Sequence, residues 1–244
     1  MSNLKLANAQ PTQHQSKRDL SLTKLGLNKE VLQNTATAGL ADFKLTSPLA
    51  PVNAAGSRAS FAMIAALRAQ LLGNESGWKK LNQKGQSLTI NADYQISLIV
   101  TSGDKDTGTP NSQPSTKNGK GEETKSQVQR NVQLGQTYNL FNDSHDEFDA
   151  DDILDDILNQ NESVDGHELW ILLYHFDRAK KELRYELSLP IGITDVGTNG
   201  KVKVSSWADR IIFDAIPFDT TLTESESTEF SEDFDFDLTP KDTL

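Results

Sequence analysis

LTINADYQISLIVT, residues 88–101, carries the clearest strand pattern in the chain. Leu88, Ile90, Ala92, Tyr94, Ile96, Leu98 and Val100 alternate with Thr89, Asn91, Asp93, Gln95, Ser97 and Thr101, and only Ile99 breaks the alternation. Successive strand side chains point to opposite faces. A period of two over this length therefore means a long strand, or two strands meeting at a bulge, with Leu88, Ile90, Ile96 and Leu98 on one buried face. One wet face favours an antiparallel sheet.

Working outward, HELWILLYHF (residues 167–176) is apolar at both parities and reads as a central strand. After the polar turn Asp177–Lys181, residues Leu183, Tyr185, Leu187 and Leu189 alternate with Arg184, Glu186 and Ser188, which makes a hairpin that Pro190 should end. Lys201–Ser205 and Arg210–Ile216 read as two short strands, and Val128, Val132 and Leu134 as another. Ser57 or Ser60 can cap a helix through Phe61, Met63, Ile64, Leu67 and Leu71, with Gly73-Asn74 as its stop. No strand–helix–strand spacing stands out, so a parallel α/β sheet is not expected. The expected fold is α+β: a mainly antiparallel β sandwich or barrel-like core, one packed helix, an additional acidic amphipathic helix, and disordered termini.

Hydrophobic residues make up 36% of the 244, below the roughly 45% of ordinary globular chains. Residues 1–57 are rich in Gln, Asn, Thr, Ala and Pro and read as a flexible N-terminal segment, apart from a short leucine-rich helix near 20–32. Residues 58–216 are expected to form one β-rich domain, with a long polar loop at 102–127 and an acidic helix at 144–160. Residues 217–244 read as a disordered acidic and aromatic tail. There are no cysteines, which excludes disulfides, thiolate metal sites and cysteine nucleophiles. No leader-like apolar stretch opens the chain, and no window approaches 18 apolar residues. The expectation is a cytoplasmic protein with no membrane partner.

Charge is segregated. Residues 1–142 carry 16 basic and 9 acidic side chains, residues 143–165 carry 10 acidic and no Lys or Arg, and residues 166–216 balance at 7 and 7. The tail, 217–244, has 9 acidic groups against Lys241, bringing the chain to −11. In the first acidic block, Ser144 and Glu147 match a capping box ahead of Phe148. Phe148, Ile153, Leu154 and Ile157 then share a helical face opposite Asp151, Asp152, Asp155 and Asp156, whose pairs one turn apart repel. Such a helix is marginal alone. It reads either as a surface helix packed on the sheet or as a helix entering a protein partner's groove with basic walls. After Asp149 and Asp151 there is neither the Gly nor the terminal Glu of a calcium loop.

In the tail, Phe230, Phe234 and Phe236 are interleaved with Glu229, Glu232, Asp233, Asp235 and Asp237. A solubilising tail has no use for three aromatic rings, whereas rings held exposed among acids suit docking. An acidic, phenylalanine-bearing tail behind a β-rich body resembles the plan of single-stranded-DNA-binding proteins, phage ones especially. The resemblance covers only the tail and the β character, and eight residues follow Phe236 here. It implies a phage or mobile-element protein binding single-stranded nucleic acid. Lys117, Lys120, Lys125 and Arg130 are the candidate contacts, and Tyr94, Tyr138 and Trp78 the candidate stacking rings, although the parity of Tyr94 places it in the core.

Catalytic signals are thin. His167 and His175 lie eight residues apart on one strand, too far to share a metal. Asp177, Glu182 and Arg184 faintly resemble a nuclease cluster, and Gly119-Lys120-Gly121 lacks the spacing and hydroxyl of a phosphate loop. The expectation is a non-catalytic binding or assembly protein with no cofactor, no metal and no catalytic residue, and with homo-oligomerisation left open. The alternative is a metal-dependent hydrolase or nuclease using carboxylates of the acidic block.

Overall fold

A computed structural model describes residues 13–73, 76–143, 164, 166–197 and 200–219. Among them are four helices, α1 (Gln13–Lys24), α2 (Lys29–Leu45), α3 (Ala54–Leu71) and α4 (Glu122–Asp143). The strands are β1 (Trp78–Gln83), β2 (Gln86–Asn91), β3 (Ile96–Ser102), β4 (Glu168–Asp177), β5 (Glu182–Asp195), β6 (Val202–Ile212) and β7 (Ile216–Pro217). They pair in the order β1-β2-β3-β4-β5-β6, with β7 on β5. Every pair is antiparallel except β3 with β4, so the class is α+β with a mostly antiparallel sheet. The one parallel pair corrects the reading that no strand–helix–strand spacing is present: α4 lies in the crossover from β3 to β4.

The stretch at 88–101 is two strands joined by a tight turn rather than one strand with a bulge. Asn91 Oδ1 accepts from the N–H groups of Asp93 and Tyr94 at 2.9 and 3.3 Å, and Gln95 turns the corner at φ 49°. The register pairs Ile90 with Ser97 and Thr89 with Leu98. Across this hairpin an even-numbered residue shares its face with an odd-numbered one, so the parity inverts. Leu88 and Ile90 therefore join Ile99 in one buried cluster, while Ile96 and Leu98 belong to another on the opposite face. The irregular Ile99 is the residue that continues the first cluster. Tyr94, expected in the core, sits exposed at the turn.

Both faces of the sheet are covered. On one, Leu22, Leu32, Leu40, Met63 and Leu67 from α1–α3 pack against Ile96, Leu172, Tyr185 and Leu187. On the other, Val128 of α4 meets Leu88, Ile99, Ile171, Leu173 and Val204. Ile96 and Leu98 are each 1% exposed, so the buried placement holds although the four residues do not share a face. Ile96→Ala is expected to cost about 2–5 kcal/mol in a urea unfolding measurement, and Gln95→Ala, exposed in the turn, well under 1 kcal/mol. Equal losses would contradict this packing.

The N-terminal region is not the linker its composition suggested. α1 ends in a left-handed cap in which Gly26 (φ 65°) donates to Thr23 O and Leu27 donates to Leu22 O. A Cβ at Gly26 would overlap the Tyr94 ring, so glycine is required twice over. Asn28 caps α2 through Oδ1 to the Val31 N–H at 2.9 Å. Within α2, a Cβ at Gly39 would collide with Met63, so its absence lets α2 and α3 close on each other. α3 buries Ala59, Met63, Leu67 and Leu71, whereas Phe61, expected on that stripe, is 69% exposed.

Three further expectations are corrected. Val128, Val132 and Leu134 lie in α4, not in a strand. The segment read as two short strands after Lys201 is the single β6 plus the two-residue β7. Pro190 does not end β5, which runs on to Asp195 through register shifts at 189–193. A bulge accommodates a residue with no N–H to donate. Asn131 of α4 completes the irregularity: its Nδ2 donates to Leu169 O and Pro190 O, and its Oδ1 accepts from Leu169 N, each at 2.9 Å.

Candidate functional site

The polar loop between β3 and α4 lies across the α4-side face of the sheet. Gly103 bridges Thr116, the Lys117 N–H donates to Ser102 O, and the Thr116 N–H donates to Val204 O. Lys120 exchanges backbone hydrogen bonds with Val202 at 2.7 and 3.0 Å. The loop is thus threaded between the end of β3 and the start of β6.

A buried charge network holds it down. Glu186 is fully buried and receives Arg210 on both oxygens, Nε at 3.1 Å and Nη2 at 2.5 Å. Its carboxylate also accepts from the Gly108 N–H at 2.9 Å and the Ser188 hydroxyl at 3.0 Å. Arg210 donates onward to the carbonyls of Ser112 and Thr109. Beside it, Arg184 reaches Asp177 at 3.1 Å, Glu182 at 3.6 Å and the Thr109 hydroxyl. The suspected nuclease-like group Asp177, Glu182 and Arg184 is therefore a set of ion pairs. Asp177 Oδ1 also accepts from the Lys180 and Ala179 N–H groups, and the Lys180 bond is the main reason its carboxyl titrates below the usual range.

The histidines stand apart. His167 Nδ1 lies 3.2 Å from the Ser97 hydroxyl, and His175 Nδ1 lies 3.4 Å from Gly103 O. Burial pushes His175 below the ordinary imidazole range. Among the described residues no group of three or more His, Asp or Glu is arranged to hold a metal ion. No helix among them is long and apolar enough to cross a membrane.

Of the four basic candidates, Lys117 is exposed. Lys120 donates its ammonium to the Thr101 hydroxyl, Lys125 pairs with Glu122 at 3.6 Å, and Arg130 Nη1 donates to Val164 O at 3.1 Å. The fold adds two lysines that spacing along the chain could not associate with them. Lys201 packs its stem against Gly119, where a Cβ would sit 3.0 Å from Lys201 Cβ, and Lys203 follows two residues later on β6. Lys117, Lys201 and Lys203 make no ion pair among the described residues. Trp78 is buried.

Phe148, Ile153, Leu154 and Ile157, together with Phe230, Phe234 and Phe236, lie outside the described residues, as does the expected acidic helix at 144–160. The structure does show what flanks them. Val164, near the end of the first acidic block, is 5% exposed and its carbonyl accepts from both Arg130 and His167. At the start of the tail, Phe218 donates its N–H to Lys181 O and lies among Phe43 and Phe176, ring centroids 6.0 and 6.3 Å away, so the first tail residues are held on the body. The described residues hold 22 Lys and Arg against 17 Asp and Glu, a net +5, so the remaining residues sum to −16. No family model, no curated protein and no solved structure matches the chain.

Proposed function

We propose that this chain is a non-catalytic binding and assembly protein, a basic folded body that presents two acidic, aromatic-bearing segments to a partner. The observation that supports this reading is the separation of charge: −10 over residues 143–165 and −8 over residues 217–244 against +7 in the rest of the chain, with the buried carboxylate of Glu186 already committed to Arg210. The segments join the body beside anchored residues, Val164 and Phe218. A protein with a basic groove suits Phe148, Ile153, Leu154 and Ile157 on one segment and Phe230, Phe234 and Phe236 on the other.

A second reading, single-stranded nucleic-acid binding gated by the tail, is favoured by Lys201 packing against Gly119 in the loop that also carries Lys117 and Lys120. One pair of experiments separates the two. Removing residues 219–244 deletes 9 acidic groups and one lysine and brings the net charge from −11 to −3. If the tail competes with nucleic acid, the truncated protein binds single-stranded DNA more tightly in a gel shift. The gap should be widest near 0.01 M salt, where the Debye length is about 30 Å, and fade towards about 0.15 M. If the tail docks a protein, changing Phe230, Phe234 and Phe236 together to Ala abolishes its capture, while changes at Thr221 or Thr223 leave it intact. DNA binding absent at every salt, with and without the tail, removes the nucleic-acid reading. Cleavage of DNA that depends on a divalent metal would overturn the non-catalytic reading in favour of the hydrolase.

A further inference from the structure

A cavity of about 790 Å³ opens between α3, the β1–β2 turn, the end of β3 and the start of α4. Its apolar wall is Phe61, Ile64 and Ile99; its polar wall is Gln86, Thr101, Lys120 and Thr124. Most charges around it cancel. Lys84 pairs with Glu123 at 2.8 Å and Lys125 with Glu122 at 3.6 Å, and these two glutamates also meet the positive end of the α4 dipole. Lys120 is left over. Its ammonium donates to the Thr101 hydroxyl and meets no carboxylate among the described residues, and burial lowers its pKa. An ammonium has three N–H donors, and a partly buried one without a counter-ion is costly.

Gln86 also lines the cavity and donates its amide N–H to the Thr124 hydroxyl at 2.8 Å. Next to Lys120, Gly121 has nothing within 4 Å of where a Cβ would project, so the backbone there is open to approach. The cavity therefore offers one unmatched positive charge beside an open stretch of backbone, and an apolar wall on which Phe61 is largely exposed. A polyanion or a phosphate dianion does not match a single cation flanked by two glutamates.

We propose that this cavity binds a small organic monocarboxylate with an apolar body, its carboxylate on Lys120 and its apolar part against Phe61 and Ile64. The site is independent of the acidic segments. Mandelate, an aromatic hydroxycarboxylate, is a suitable probe for calorimetric titration of the full chain at low salt, with neutral mandelamide and inorganic phosphate as comparisons. The expected result is saturable mandelate binding that exceeds both. Lys120→Met should weaken it by about tenfold or more, the worth of one charge-assisted hydrogen bond. Lys80→Met, at an exposed β1 position away from the cavity, should leave it within about twofold. Because Lys120→Met also removes an unmatched partly buried charge, its melting temperature should not fall. Amide shifts in the wild-type spectrum should localise to Gln86, Gly119 and Gly121, which tests the site even if the variant folds poorly. Mandelate binding undiminished in Lys120→Met, shifts centred elsewhere, or no wild-type binding up to about 10 mM would each overturn the proposal.

Discussion

Glu186→Ala is expected to destabilise the protein by about 3–5 kcal/mol, because it strips a buried arginine of both its carboxylate contacts. Glu186 is 0% exposed and cannot turn to water when its partner is lost, and Arg210, 16% exposed at the side chain, can do so only in part. The Gly108 N–H and the Ser188 hydroxyl lose their acceptor in the same change. Arg210→Ala should cost a similar amount by leaving the carboxylate uncompensated. The double change of Glu186 and Arg210 to Leu and Met should lose less than the sum of the two, since an apolar pair leaves no buried charge behind. Urea unfolding of the four proteins measures this. Because Arg210 also holds the carbonyls of Thr109 and Ser112, amide exchange should accelerate across residues 108–116 in the single variants. Single losses below about 1 kcal/mol would show that water already screens the pair.

Deleting residues 1–45 is expected to abolish cooperative unfolding altogether, rather than trim a dispensable arm. Those residues contribute Leu22, Leu27, Leu32, Ala36 and Leu40 to the larger buried cluster, all 5% exposed or less. Without α1 and α2, the face of the sheet carrying Ile96, Leu98, Leu172 and Leu187 faces water, apart from the area α3 covers. Single changes give a graded version: Leu32→Ala and Leu40→Ala should each cost about 2–5 kcal/mol. Thermal unfolding by circular dichroism reads both. A truncated chain with a sharp transition close to that of the full protein would show that the helices are peripheral.

The hairpin of β4 and β5 was legible because its information is local. Two apolar runs flank a four-residue turn, and Asp177 accepts the turn's own N–H groups. The strands at 88–101 were legible as strands, but their facing was not, since a tight turn inverts parity without changing the alternation. α4 escaped because the residues it buries are Thr124, Gln127, Val128 and Asn131, a helical stripe in which three of four are polar. α2 escaped for a related reason: Thr35, Ala36 and Gly39 are buried because they are small enough to admit α3, and small residues carry little hydrophobic signal.

Of the candidate contacts, the sequence could name Lys117, Lys120, Lys125 and Arg130 but not their partners. Lys120 meets Thr101 nineteen residues away, and Arg130 meets Val164 thirty-four away. By itself, the sequence determined the mostly antiparallel sheet, the absence of thiol chemistry and the placement of −10 in residues 143–165 and −8 in residues 217–244, because alternation, composition and charge are properties of the chain as written. Tertiary structure alone decided that the sheet is covered on both faces, that Glu186 and Arg210 pin the polar loop, and that Lys120 is the unmatched cation of a cavity. Each of these depends on which distant residues share a buried space. That is set by packing and by the desolvation of charge, and neither leaves a periodic mark along the chain.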